Sequence, residues 1–151
     1  MQRTLILLKP DAVQKKICGK VITRFEDAGF LIRGCKMIHL DPDILHEHYA
    51  HIADKPFYPE VEEFMSSTPV IALVLEGDGI VEKMRDMLGV TDSTKAAPGT
   101  IRAELGVDVM FNVAHASDSL ETAEKEVKRF FQDDELFQYD VKSVEELKST
   151  R

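Results

Sequence analysis

Two short apolar runs constrain the fold of this chain more than any other feature. Thr4 to Lys9 and Val70 to Leu75 are apolar without alternation. Runs of that length and composition read as central strands buried on both faces of a sheet. They also limit what the chain can do with a membrane. The N-terminal run stops at Leu8, too short for the apolar region of a signal peptide. Val70 to Leu75, the longest apolar run, is too short to span a bilayer. The expectation is a cytoplasmic protein with no membrane association.

Around these runs the pattern predicts the remaining elements. Pro10-Asp11 ends the first strand and opens a helical turn. Gly19 to Ala28 places Val21, Ile22, Phe25 and Ala28 at helical spacing, with Gly29 as the stop. Leu31 to Leu40 reads as a second strand with Ile32, Gly34, Lys36 and Ile38 on one face. Asp41-Pro42 starts a helix through Tyr49, and a short helix follows near Pro59 to Ser66. Gly77-Asp78-Gly79 turns the chain into a helix over Ile80 to Leu88, closed by Gly89. Residues 90–110 carry no clear period, and a loop this long inside a compact domain is usually functional. Phe111 to Ala114 is expected as a fourth short strand. Ser117-Asp118-Ser119 caps a last helix, Leu120 to Phe131, with Asp118 and Glu121 at capping-box spacing. Residues 132–151 form a polar, acidic tail expected to pack down on the rest. Strand, helix, strand, then strand, helix, strand is the order of a ferredoxin-like α+β sandwich, a four-stranded antiparallel sheet covered by helices. The 151 residues make a single domain, 1–151.

The net charge of −8 argues against binding a phosphate backbone non-specifically. Cys18 and Cys35 form no CxxC pair and read as buried or half-buried free thiols. Neither GxxxxGK[ST] nor GxGxxG is present, so any bound phosphate must be held by side chains.

Of the histidines, His46, His48 and His51 cluster without the HExxH spacing of a zinc site, and read as solvated surface groups. His115 differs. It ends an apolar segment just before a capped helix, where N–H groups favour an anion. On that basis a catalytic role and a satisfied core histidine are equally open. Glu126 lies at the edge of the stripe Leu120, Ala123, Val127, Phe130 and Phe131, so it needs a partner. That partner is His115, whose imidazole a carboxylate would orient, or else a lysine or arginine. Lys9, Arg85 and Arg102, taken singly, read as surface charges.

Three segments together carry more. TLILLKPDAV at 4–13, PGTIR at 98–102 and NVAHASDS at 112–119 closely resemble the nucleoside diphosphate kinase family, over nearly the whole chain. The resemblance implies ping-pong transfer of a γ-phosphoryl group from a nucleoside triphosphate to a nucleoside diphosphate, with Mg²⁺ and weak base selectivity. It implies that His115 is transiently phosphorylated, that Glu126 orients it, and that Ser117 supports the carboxylate. Lys9, Tyr49, Arg85, Thr91, Arg102 and Asn112 fall on phosphate and sugar contacts, with Lys9 also in the catalytic set. Phe57 matches an aromatic stacked on the base, and Val109 lies on the base's other side. Asp118 matches a residue near the metal, usually through water. A homo-oligomer is implied, a hexamer on tail length, with a tetramer as the alternative. Ser93, Ala103-Glu104, Phe111 and Ala116 depart from the residues common in the family.

Overall fold

The structure, a computed structural model, describes residues 1–149. The last part of the expected tail, 150–151, lies outside the described residues. Strands β1 (Gln2–Leu8), β2 (Leu31–Ile38), β3 (Val70–Gly77) and β4 (Ala114–Ala116) form one four-stranded sheet in the order β2-β3-β1-β4. Every pairing is antiparallel. The two apolar runs are the two inner strands. Successive side chains of a strand point to opposite faces, and both faces here are covered. Ile6, Leu8, Leu73 and Leu75 enter one core cluster, and Leu5, Leu7, Ala72 and Val74 enter the other.

Helices α1 (Pro10–Gln14), α2 (Cys18–Asp27), α3 (Pro42–His48), α4 (Tyr58–Ser66), α5 (Ile80–Leu88), α6 (Ile101–Leu105), α7 (Leu120–Phe130) and α8 (Val144–Ser149) complete the chain. Val21 and Phe25 of α2 and Ile80, Met84 and Leu88 of α5 close the first cluster. Leu45 of α3, Met65 of α4 and Val127 and Phe130 of α7 close the second. Burying a side chain of this size contributes about 1.5–3 kcal/mol relative to leaving it exposed. This is the expected ferredoxin-like α+β sandwich.

Several local expectations are corrected. The fourth strand begins at Ala114 rather than Phe111, because Val113 adopts φ 77° and breaks the extended run before it. The cap of α7 is Ser119, whose Oγ accepts the Thr122 N–H at 3.1 Å. Glu121 instead faces Lys125 at 3.5 Å, one turn along the helix, so no Asp118–Glu121 capping box forms. Leu120, the first residue of α7, is 46% exposed and stands off the buried stripe. The segment 90–110 holds a 3₁₀ turn at Ser93–Lys95 and helix α6, capped by Thr100. Cys18 is half-buried as expected, but Cys35, on the edge strand β2, is exposed.

The tail runs against β2 as far as Tyr139. Lys36 Nζ pairs with Glu135 at 2.8 Å, and Phe137 N–H donates to the Arg33 carbonyl at 2.8 Å. Buried Arg33 pairs with Glu76, donates to the Tyr139 carbonyl at 2.8 Å and lies over the Tyr139 ring. Helix α8 buries none of its residues.

Candidate active site

A strained turn sets the geometry. Asn112 O accepts the Ala114 N–H at 2.9 Å, closing a γ-turn on Val113. A β-branched residue at φ 77° is an outlier costing about 1–3 kcal/mol, and such turns persist only where surroundings hold them. Here the Lys9 N–H donates to Val113 O at 2.9 Å, and the carboxylate of buried Asp11 accepts the Val113 N–H at 2.9 Å. The chain then enters β4 in register with β1, with His115 opposite Leu7.

His115 Nε2 donates to Glu126 Oε1 at 2.8 Å. Ser117 Oγ donates to the same oxygen at 2.7 Å and accepts the Leu5 N–H at 3.2 Å. Glu126 is only 5% exposed. Burial pushes its pKa up, but the bond and attraction from His115 and the bond from Ser117 win and hold it low. An ionised carboxylate only accepts. In the neutral His115 ring the proton therefore sits on Nε2, and Nδ1 carries the lone pair.

His48 is a correction. The sequence places it among solvated surface histidines, yet it is 6% exposed, while His46 and His51 are exposed. Its ring meets the His115 ring edge-on at 4.6 Å between centroids, and Nδ1 accepts from Arg129 NH1 at 3.0 Å. Burial, then repulsion from His115 and Arg129, outweighs the pull of Glu126 and lowers its pKa to about 3. The signal was present: Leu45, His48 and Tyr49 share one helix face, and Leu45 is core.

A cleft of about 1110 Å³ opens beside His115. Lys9, 8% exposed, forms its floor, with Nζ donating to Met110 O and Asn112 Oδ1, both at 2.7 Å. Burial lowers its pKa to about 8, against the pull of Asp11 and Asp108. The Phe64 ring lies 5.5 Å from Nζ and packs edge-on against Phe111, an aromatic wall that the sequence reading did not anticipate. Asn112 Nδ2 donates to the carbonyls of Thr91 and Val109, at 3.0 and 3.1 Å. Arg102 donates to the carbonyls of Asn112, Gly89 and Ala114, and burial lowers its pKa to about 10, with Arg85 adding to the effect. Arg85 NH1 donates to Asp118 O at 3.1 Å. Tyr49 lines the same cleft, its hydroxyl pKa raised by burial and by Glu126. Phe57, 49% exposed, and Val109, 60% exposed, stand at the mouth with Thr91. The Asp118 carboxylate is exposed and engages no hydrogen bond among the described residues. Of the residues singled out from the sequence, Ser117 alone does not line the cleft; it stands behind Glu126.

An imidazole held by a carboxylate, in a cleft that three cations line, is an arrangement suited to taking up an anionic electrophile.

Comparison with known proteins gives a consistent picture. The family model described as nucleoside diphosphate kinase matches residues 2–136. A nucleoside diphosphate kinase from Parabacteroides distasonis is 46% identical over 144 residues, 95% of this chain and 94% of that protein. One from Pyrococcus horikoshii is 46% identical over 141 residues, 91% of this chain and 90% of that protein. Among solved structures, the Halobacterium salinarum nucleoside diphosphate kinase in complex with CDP matches with a TM-score of 0.90. It is 41% identical and covers 93% of both chains. The Aquifex aeolicus nucleoside diphosphate kinase matches with a TM-score of 0.86 at 43% identity, covering 90% of this chain and 99% of that one.

Proposed function

Because the chain belongs to the nucleoside diphosphate kinase family, we propose that it moves the γ-phosphoryl group between nucleotides through a phosphohistidine at His115. The observation that carries this reading is the bond that holds His115 Nε2 on Glu126, in a cleft that Lys9, Arg85 and Arg102 also line. A nucleoside triphosphate enters with its base between Phe57 and Val109. Its sugar and phosphates lie along Tyr49, Arg85, Thr91, Arg102 and Asn112, with Lys9 at the phosphates. His115 Nδ1 attacks the γ-phosphorus, and the bond from phosphorus to the β–γ bridging oxygen breaks. The electron pair leaves with the nucleoside diphosphate. Glu126, supported by Ser117, holds the Nε2 proton and balances the charge on the ring. A second diphosphate then takes the phosphoryl group by the reverse steps. Positioning and charge stabilisation supply most of such a reaction. Stacking on Phe57 accepts any base, since every base has a π-face.

Magnesium belongs to this reading. An ion carried on substrate phosphates and water needs only one or two carboxylates, and the exposed Asp118 at the cleft's rim supplies one. Asp118 would hold the ion through water, and the ion would neutralise charge on the β- and γ-oxygens. The partners are nucleoside di- and triphosphates. The chain assembles with copies of itself and works in the cytoplasm; among the described residues no helix is long and apolar enough to cross a membrane.

Incubation with γ-labelled ATP tests the reading. The expected product is a label on the protein that is labile to acid and stable to alkali. His115→Ala loses both the label and the transfer, with its circular dichroism unchanged. Turnover near wild type in that variant would end the assignment.

A further inference from the structure

Glu126 and Arg129 lie three residues apart on α7, a spacing at which opposite charges on a helix meet. Both also line the cleft. A guanidinium is well shaped to grip a carboxylate. Yet among the described residues no ion pair joins them. Arg129 NH1 donates to His48 Nδ1 at 3.0 Å, and its Nε lies 3.4 Å from Glu47 Oε1. Glu126 gives Oε1 to His115 and Ser117. His48 Nδ1 is also 3.8 Å from Glu126 Oε2, so one imidazole nitrogen lies close to both the carboxylate and the guanidinium.

We propose that His48 is a positioning residue that occupies Arg129 and keeps it off Glu126, so that the carboxylate's charge is left to His115. The proposal rests on the reading of His115 as the phosphoryl acceptor. A Glu126 held by Arg129 would stabilise the charged His115 ring less. His115 would then titrate lower and be a weaker nucleophile. The role requires a neutral His48, because only an unprotonated Nδ1 accepts from Arg129. Its surroundings keep it so. Tyr49 and His51 lie on its own side, His115 on β4, and Glu126, Arg129 and the Phe130 ring on α7. Only Glu126 among these favours the charge, and burial outweighs it. The edge-on contact with His115 adds a restraint on the nucleophile's ring.

The test compares the ¹⁵N-labelled full chain with His48→Leu, His48→Gln and the double variant His48→Leu, Arg129→Met. The readouts are the NMR titration of His115 and the pH profile of single-turnover phosphoenzyme formation from γ-labelled ATP. His48→Leu frees Arg129 to reach Glu126. His115 then titrates about one pH unit lower, a tenfold change in proton affinity, and the acid limb of phosphoenzyme formation moves down with it. His48→Gln keeps an acceptor for Arg129 and keeps the wild-type titration. The double variant removes the guanidinium and restores it. An unmoved titration in His48→Leu overturns the proposal, and so does a shift that Arg129→Met fails to relieve. The wild type supplies a check that needs no variant: His48 must remain unprotonated at pH 5, and a protonated ring there also overturns it. A wild-type chain that forms no phosphoenzyme refutes the acceptor role of His115, while the titrations still decide the role of His48.

Discussion

At the scale of single residues, Lys9 concentrates the electrostatics of the cleft. It is an ammonium under an aromatic wall with only two acceptors, and burial brings its pKa to about 8. Nucleotide phosphates would favour its charged form, so raising the pH through about 8 removes a cation the ligand needs. The affinity for ADP is therefore expected to fall as pH rises above 8, by at most about tenfold per unit. Calorimetric titration across pH 7–10 measures this. Lys9→Met should bind more weakly at neutral pH and lose the alkaline decline; a decline that persists there assigns it to another group. Phe57 lies at the opposite, solvent-facing end of the cleft. Phe57→Ala is expected to weaken binding by about 1–3 kcal/mol, nearly equally for ADP and CDP. A loss confined to one of them, in the same calorimetric experiment, would mean that the base is read by hydrogen bonds. From position and spacing only His115 and Glu126 were legible, one before a capped helix and the other at the edge of an apolar stripe; the remaining side chains came from the family resemblance. For His48 only burial was legible, from the helix face it shares with Leu45. Its partners lie on β4 and α7, more than 60 residues away, and no local pattern reports a partner that distant.

At the scale of elements, the γ-turn at Val113 is the piece of backbone that aims the site. Val113→Gly relieves about 1–3 kcal/mol of strain and gives up a buried side chain worth a similar amount. The melting temperature should therefore stay close to wild type, while phosphoenzyme formation slows because β4 no longer enters in one fixed register. Thermal denaturation and rapid-quench labelling measure the two effects; labelling at the wild-type rate would show that the turn does not hold His115. The same turn explains where the sequence reading fell short. Phe111 and Asn112 look like strand, being apolar or half-apolar and close to β4. Their backbone carbonyls instead serve Val107, Asp108 and Arg102, which leaves none for a sheet. Helix α6 escaped notice because five residues are too few to establish a period. The long apolar strands and α2, α5 and α7 were legible since burial on one or two faces writes itself into spacing.

At the scale of the whole molecule, much apolar surface is left without cover. Phe137, Val141 and Val144 on the tail are exposed, as are Val90, Val107, Val109 and Phe111 around the cleft's loop. Exposed groups in such number favour association. A hexamer is the expected assembly and a tetramer the alternative. Light scattering at micromolar concentration measures the mass: a stable 17.1 kDa species would refute any assembly, and a mass near four subunits would select the alternative. One feature of the site also bears on how such a chain can change over evolutionary time. Lys9, Arg102 and Asn112 come from three different parts of the sequence, but each anchors on main-chain carbonyls supplied largely by residues 109–114. A point substitution that keeps the turn at Val113 leaves the carbonyls in place. A single inserted or deleted residue shifts them all, and would unseat three ligand-holding side chains at once. Length variation should therefore be tolerated in the exposed tail beyond Tyr139 and purged from 109–114.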